Sequence, residues 1–230
     1  MFFRKKKAID WIKEGEKFAK KRNLDKAMEC FKKAYDESDN VKEGESPQRI
    51  KAIALDNMGV IYAMIGKYKD ALDCFNKSLS FILAEKGINK DPLSEDTEEP
   101  NEIWLQIIRD PLAYMCYGDK ATVLSDLALE NGGARFDELI HQSRRMLDKL
   151  LEIIPVSTEH MQIASRLARA RYNVIFAIAQ RKYPDEFIGT DKGVIVPLPR
   201  IKEAYKELGY TEKEIRFDFK CVGINQEISS

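Results

Sequence analysis

Any chemistry in this chain must come from few side chains. There are two histidines, and one has a partner at useful spacing: Asp137 stands one helical turn before His141. Such a pair suits a metal site or an acid–base dyad, and equally a plain surface ion pair near a helix start. His160 follows a cap signal and has no comparable neighbour. Neither histidine falls in HExxH, a Cys/His cluster or a triad-like context, and no phosphate loop or dinucleotide fingerprint occurs. Cys30, Cys74, Cys116 and Cys221 are far apart with no CxxC, which reads as reduced, semi-buried packing thiols of a cytosolic protein. Arg166, Arg169 and Arg171 either gather an anion or snorkel from the edge of a buried helix. The expectation is a chain without catalytic residues, metal or cofactor: not an enzyme.

Composition narrows the alternatives. Of 230 residues, 44% are hydrophobic, enough for a core, and 33% are charged, enough to solvate a surface. Lys+Arg and Asp+Glu are both 38, so no global field draws the chain onto nucleic acid or an acidic membrane. Charge is local instead. Residues 1–36 hold twelve basic and six acidic side chains, whereas residues 85–102 hold seven acids and two lysines. The start, Met1-Phe2-Phe3-Arg4-Lys5-Lys6-Lys7, is basic with no apolar stretch behind it, unlike a signal peptide, and no apolar run reaches membrane-spanning length. A cytoplasmic location is expected.

The elements that organise these residues appear as an internal echo. Trp11-x2-Glu14-Gly15-x2-Phe18 leads to Ala27-x3-Phe31-x2-Ala34, and Leu55-x2-Met58-Gly59-x2-Tyr62 leads to Ala71-x3-Phe75-x2-Ser78. In both, sixteen residues separate the first position from the alanine. Glycine inside a helix costs about 1 kcal/mol against alanine, so two in one register imply that a partner helix passes close by. This pattern resembles the tetratricopeptide repeat family, W-x2-L-G-x2-Y followed by A-x3-F. The resemblance implies an all-α fold, an α-solenoid of antiparallel helix pairs, with clear repeats at 8–41 and 52–86. It departs from the family in an offset of 44 rather than 34, in Glu14, and in Arg22 where the second copy has Gly66. The first inter-helix turn is therefore expected to differ from the second.

The same resemblance implies a concave groove lined by the first helix of each repeat. Position by position it comprises Ile9, Ile12, Lys13, Glu16 and Lys20, then Ile53, Asp56, Asn57, Val60 and Met64. Asn57 falls where the family often bonds a peptide backbone. The family's carboxylate clamp is not carried over, because Ile12 and Glu16 occupy its positions.

Beyond the repeats, residues 87–101 are acidic and nearly free of apolar side chains, the composition of a linker. A short apolar helix with Trp104 follows at 102–109. Asp110-Pro111 caps a degenerate third pair at 111–154, broken at Gly132-Gly133. A helix at 158–183, capped by Ser157 or Thr158, is expected to seal the stack. Residues 184–230 read as a small strand-containing appendage or tail, with strands at 193–196 and 215–221, a helix at 199–208, and a Thr211-x-x-Glu214 capping box. The expected function is a protein–protein interaction adaptor binding a peptide or helix of a partner protein. The alternative is a non-catalytic regulatory subunit of an enzyme or nucleic-acid-associated complex, using the basic N-terminal repeat. Nucleic acid and membrane are disfavoured as partners, and a homo-oligomer is compatible with the sequence.

Overall fold

The computed structural model describes residues 7–40, 44, 46–89, 103, 106–107, 109–154, 161–190, 193–195 and 197–224. The basic start, most of the acidic linker, Trp104, Ser157, Thr158 and His160 lie outside the described residues. The described part is overwhelmingly helical and divides into two compact units, residues 1–123 and 124–230. The expected boundary at 183/184 is thus replaced by one at 123/124.

Unit 1 is built from two helical hairpins. Helices α1 (Ala8–Lys20) and α2 (Leu24–Asp36) form the first, α3 (Pro47–Met64) and α4 (Tyr68–Glu85) the second. The starts of α1, α2 and α3 carry side-chain hydrogen bonds: Asp10 accepts from the Lys7 N–H at 3.0 Å, Asn23 Oδ1 from the Lys26 N–H at 3.3 Å, and Ser46 Oγ from the Arg49 N–H at 3.0 Å. Pro47 follows Ser46 at the first helical position, as its fixed φ favours.

Both hairpins close on the same contact. A Cβ built on Gly15 would sit 2.6 Å from Phe31 Cε1, and one built on Gly59 would sit 2.6 Å from Phe75 Cε1. Phe31, Phe75, Ala27 and Ala71 are fully buried. The glycines leave out the side chain that would collide with a phenylalanine ring, and the alanines keep the other helix equally close.

The two turns also coincide, which corrects the expectation that they differ. Asn23 N–H donates to the Phe18 carbonyl at 3.0 Å, and Lys67 N–H to the Tyr62 carbonyl at 2.9 Å. Gly66 has φ +74°, and Arg22 takes the same left-handed conformation at +59°. Packing of the hairpin dictates the turn, and Arg22 accepts a conformation that disfavours L side chains by about 1–2 kcal/mol.

The insertion between the hairpins holds a 3-10 turn, Ser38–Asn40, anchored where Lys51 of α3 pairs with Asp39 at 2.8 Å. α3 packs on α2 and touches α1. Ser78 stands where α2 has Ala34, fully buried, and its hydroxyl donates to the Ala52 carbonyl at 2.9 Å.

Helix α5 (Pro111–Asn131) contains the unit boundary, and α6 (Gly133–Ile153) follows after Gly132. Unit 2 centres on α7 (Met161–Lys182), against which α6, α8 (Leu198–Glu207) and α9 (Glu212–Cys221) pack. The expected strand at 215–221 is corrected: these residues are α9. Thr211 and Glu214 form the capping box that starts it, and Ile215, Asp218 and Phe219 are buried at helical spacing. The strands among the described residues are β1 (Ile188–Thr190) and β2 (Gly193–Ile195), a three-residue antiparallel ladder. The C-terminal region is therefore no appendage. Ile201, Ala204, Tyr205, Ile215 and Phe219 share a core with Tyr172, Ile175 and Ala179 of α7.

Candidate functional site

The ten residues expected to line a groove fall into three groups. Ile12 and Asp56 are 3% and 4% exposed and belong to the interior, so their assignment to the groove is corrected. Ile12 is a member of the unit 1 core, while Ile9 and Ile53 pack half-buried against it. Asp56 faces Cys116 of α5, which also meets Ser78. Lys13, Glu16, Lys20 and Met64 are exposed, and Asn57 and Val60 are half-exposed. Eight of the ten thus keep some exposure to solvent, along α1 and α3, with Ile9 and Ile53 the two that also pack against the core.

Asn57, Val60 and Met64 recur at i, i+3 and i+7, so they share one face of α3. The Asn57 amide donates to the Ile53 carbonyl of its own helix at 2.9 Å. That carbonyl already serves the helix ladder, so the contact can be exchanged without opening the helix.

Buried polar groups elsewhere in unit 1 are committed to structure. Asp110 is 5% exposed and caps α5, accepting from the Leu112 N–H at 3.0 Å. It also takes a bidentate pair from Arg49 at 2.6 and 2.7 Å and lies 3.1 Å from the Lys86 ammonium. Burial pushes its pKa up, but the Arg49 and Lys86 cations outweigh burial and hold the carboxyl below its ordinary value.

Unit 2 contains a cation that sequence reasoning treated as peripheral. Arg171 is 3% exposed and makes a bidentate pair with fully buried Asp218, Nε at 2.7 Å and Nη2 at 3.0 Å. The Tyr205 hydroxyl donates to the same carboxylate at 2.8 Å, and Tyr210 donates to Asp148 at 2.7 Å. Arg171 also lies 3.6 Å from Asp148 and from Glu214, and 4.9 Å from the Tyr210 ring centroid. The Asp148 pKa is raised by burial, against the opposing pull of Tyr210, Arg171 and Arg144. Arg169 donates to the Cys221 carbonyl at 2.7 Å. Arg169 and Arg171 are therefore tied into α9 rather than gathered into an anion site. The signal that could have found it is an arginine flanked by Ala170 and Tyr172 inside an apolar helix.

The sparse chemical candidates stay apart. His141 and Asp137 are both exposed on α6, and no group of three or more His, Cys, Asp or Glu placed to hold a metal occurs among the described residues. Cys30, Cys74 and Cys116 are buried free thiols, and Cys221 is half-buried. Burial drives the Cys74 pKa up to about 11, away from nucleophilic use. No helix among the described residues is long and apolar enough to cross a membrane. No family model, curated protein or solved structure matches the chain.

Proposed function

We propose that this chain is a non-catalytic, cytoplasmic adaptor of the tetratricopeptide type, binding a segment of another protein along α1 and α3. The observation that carries the reading is the half-open face of Asn57, Val60 and Met64. It lies on a helix whose other faces are occupied by α2, α4 and α5 residues. An amide beside an apolar strip suits a peptide that offers both a backbone and side chains. Lys13, Glu16 and Lys20 supply charge along α1. The twin glycine–phenylalanine contacts and twin turns support the family resemblance.

The test is partner capture, with a photo-crosslinking residue at Val60 to locate the bound protein. Asn57→Ala with Met64→Glu should weaken capture by well over tenfold, since a lost hydrogen bond and a charge placed in an apolar contact each cost about 1–3 kcal/mol. Glu29→Ala and Asp73→Ala, exposed on α2 and α4, should leave capture intact. Loss on the second pair alone would move the partner to the opposite surface.

A further inference from the structure

The turns closing the two hairpins lie at one end of unit 1. Topology requires it: α2 runs away from the first turn, and α3 starts at the far end, where Lys51 reaches Asp39 and the Tyr35 ring. Two features meet at the turn end. Met64 and Ile65 are 46% and 49% exposed, the one adjacent pair among the described large hydrophobics left in solvent. At the same end, Lys20 closes α1 and Lys21, Arg22 and Lys67 stand in the two turns, all exposed.

Single exposed apolar side chains are ordinary, so the combination with Arg22 carries the argument. Its side chain is exposed, and its backbone sits in a conformation that the equivalent turn gives to Gly66. A cation thus stands at the tip of the turn where the equivalent hairpin has glycine, and its side chain reaches solvent rather than the core.

We propose that this turn-end surface binds an acidic segment of a partner protein in which an apolar side chain is flanked by carboxylates. The carboxylates meet Lys20, Lys21, Arg22 and Lys67, and the apolar side chain covers Met64 and Ile65. Nucleic acid would use the cations and leave both apolar groups in water. A bilayer would bury only two side chains, too small a surface to hold a folded unit. The surface adjoins the α1–α3 face and shares Lys20 and Met64 with it, whereas Lys21, Arg22, Ile65 and Lys67 lie outside that face.

The test uses a fluorescein-labelled peptide of Glu-Leu-Glu units separated by Gly-Ser, with fluorescence anisotropy on the full chain. The peptide should bind saturably and less tightly as salt rises. Lys21→Glu with Arg22→Glu should weaken it by roughly tenfold or more, and Ile65→Ser alone severalfold. Circular dichroism should be unchanged, because all three side chains are exposed. Asn57→Ala should leave this peptide's affinity unchanged, which keeps the result separate from the fate of the α1–α3 face. Four outcomes overturn the proposal: no binding, equal binding of a Gln-Leu-Gln counterpart, equal binding of an all-Glu peptide, or stronger binding to phosphatidylserine vesicles or duplex DNA.

Discussion

Asp110 of unit 1 and Asp148 of unit 2 are aspartates with opposite electrostatic fates. Asp110 is held ionised by Arg49 and Lys86, so its folded pKa lies below the unfolded value of about 3.9. Its contribution to stability is present above that value and is lost as pH falls through the depressed pKa. Asp110→Asn should therefore cost unit 1 about 1–3 kcal/mol near neutral pH, and the gap to the parent should close in acid. Urea midpoints followed by tryptophan fluorescence would show it, because Trp11 and Trp104, the only two tryptophans, both belong to residues 1–123. Asp148 has a raised pKa, so the fold favours its protonated form. That favourable contribution is complete below the unfolded pKa and disappears as pH rises through the raised one. Asp148→Asn should accordingly leave unit 2 as stable at neutral pH or more so, as read by near-ultraviolet tyrosine dichroism. Arg22→Gly offers a third test. It relieves a left-handed strain of about 1–2 kcal/mol and adds about 0.5–1 kcal/mol of unfolded-chain entropy, so the urea midpoint of unit 1 should rise slightly.

At the scale of elements, the helix pairs α1–α2 and α3–α4 were legible because their closest contact is local. Gly15 and Phe31, or Gly59 and Phe75, are sixteen residues apart and meet within one hairpin. Gly59→Leu should lower the urea midpoint by the equivalent of about 3 kcal/mol or more, since a large side chain must displace a buried ring. Gly87→Ala, which only strains a turn at φ +72° with open space around it, should cost about 1 kcal/mol. Equal midpoints would contradict the contact. α9 was misread because Ile215, Phe217 and Phe219 alternate as a strand would, although Ile215 and Phe219 are also one helical turn apart. The capping box at Thr211 and Glu214 decided the matter, yielding a helix. The candidate face was half legible. The resemblance selected a helix face, but Asp56 is buried because Cys116 of α5, sixty residues later, packs over it.

Across the whole molecule, the helical class followed from local spacing, whereas the division at 123/124 depended on which distant helices share a core. Thiol chemistry reads out that arrangement. Cys30, Cys74 and Cys116 are buried and Cys221 is not. A bulky disulfide reagent should therefore label one thiol per native chain rapidly, at Cys221, and all four only in denaturant. Fast labelling of two or more would mean that a core is open. Net charge near zero and a pI near 6.8 place the solubility minimum close to neutrality.

The Arg171–Asp218 pair joins residues forty-seven positions apart, and the second partner sits on the last described helix. During synthesis the ribosome delivers Arg171 long before Asp218. A nascent chain that has emerged only as far as α7 carries a guanidinium destined for the interior that has Asp148 of α6 nearby but not yet its bidentate partner. The bidentate contact that completes the interior of unit 2 can therefore form only once α9 has emerged. A premature stop before Asp218 would leave a chain that holds nearly all of its apolar residues yet stays a substrate for chaperones and proteases. Cellular quality control would read the loss of α9 far more sharply than its ten residues suggest.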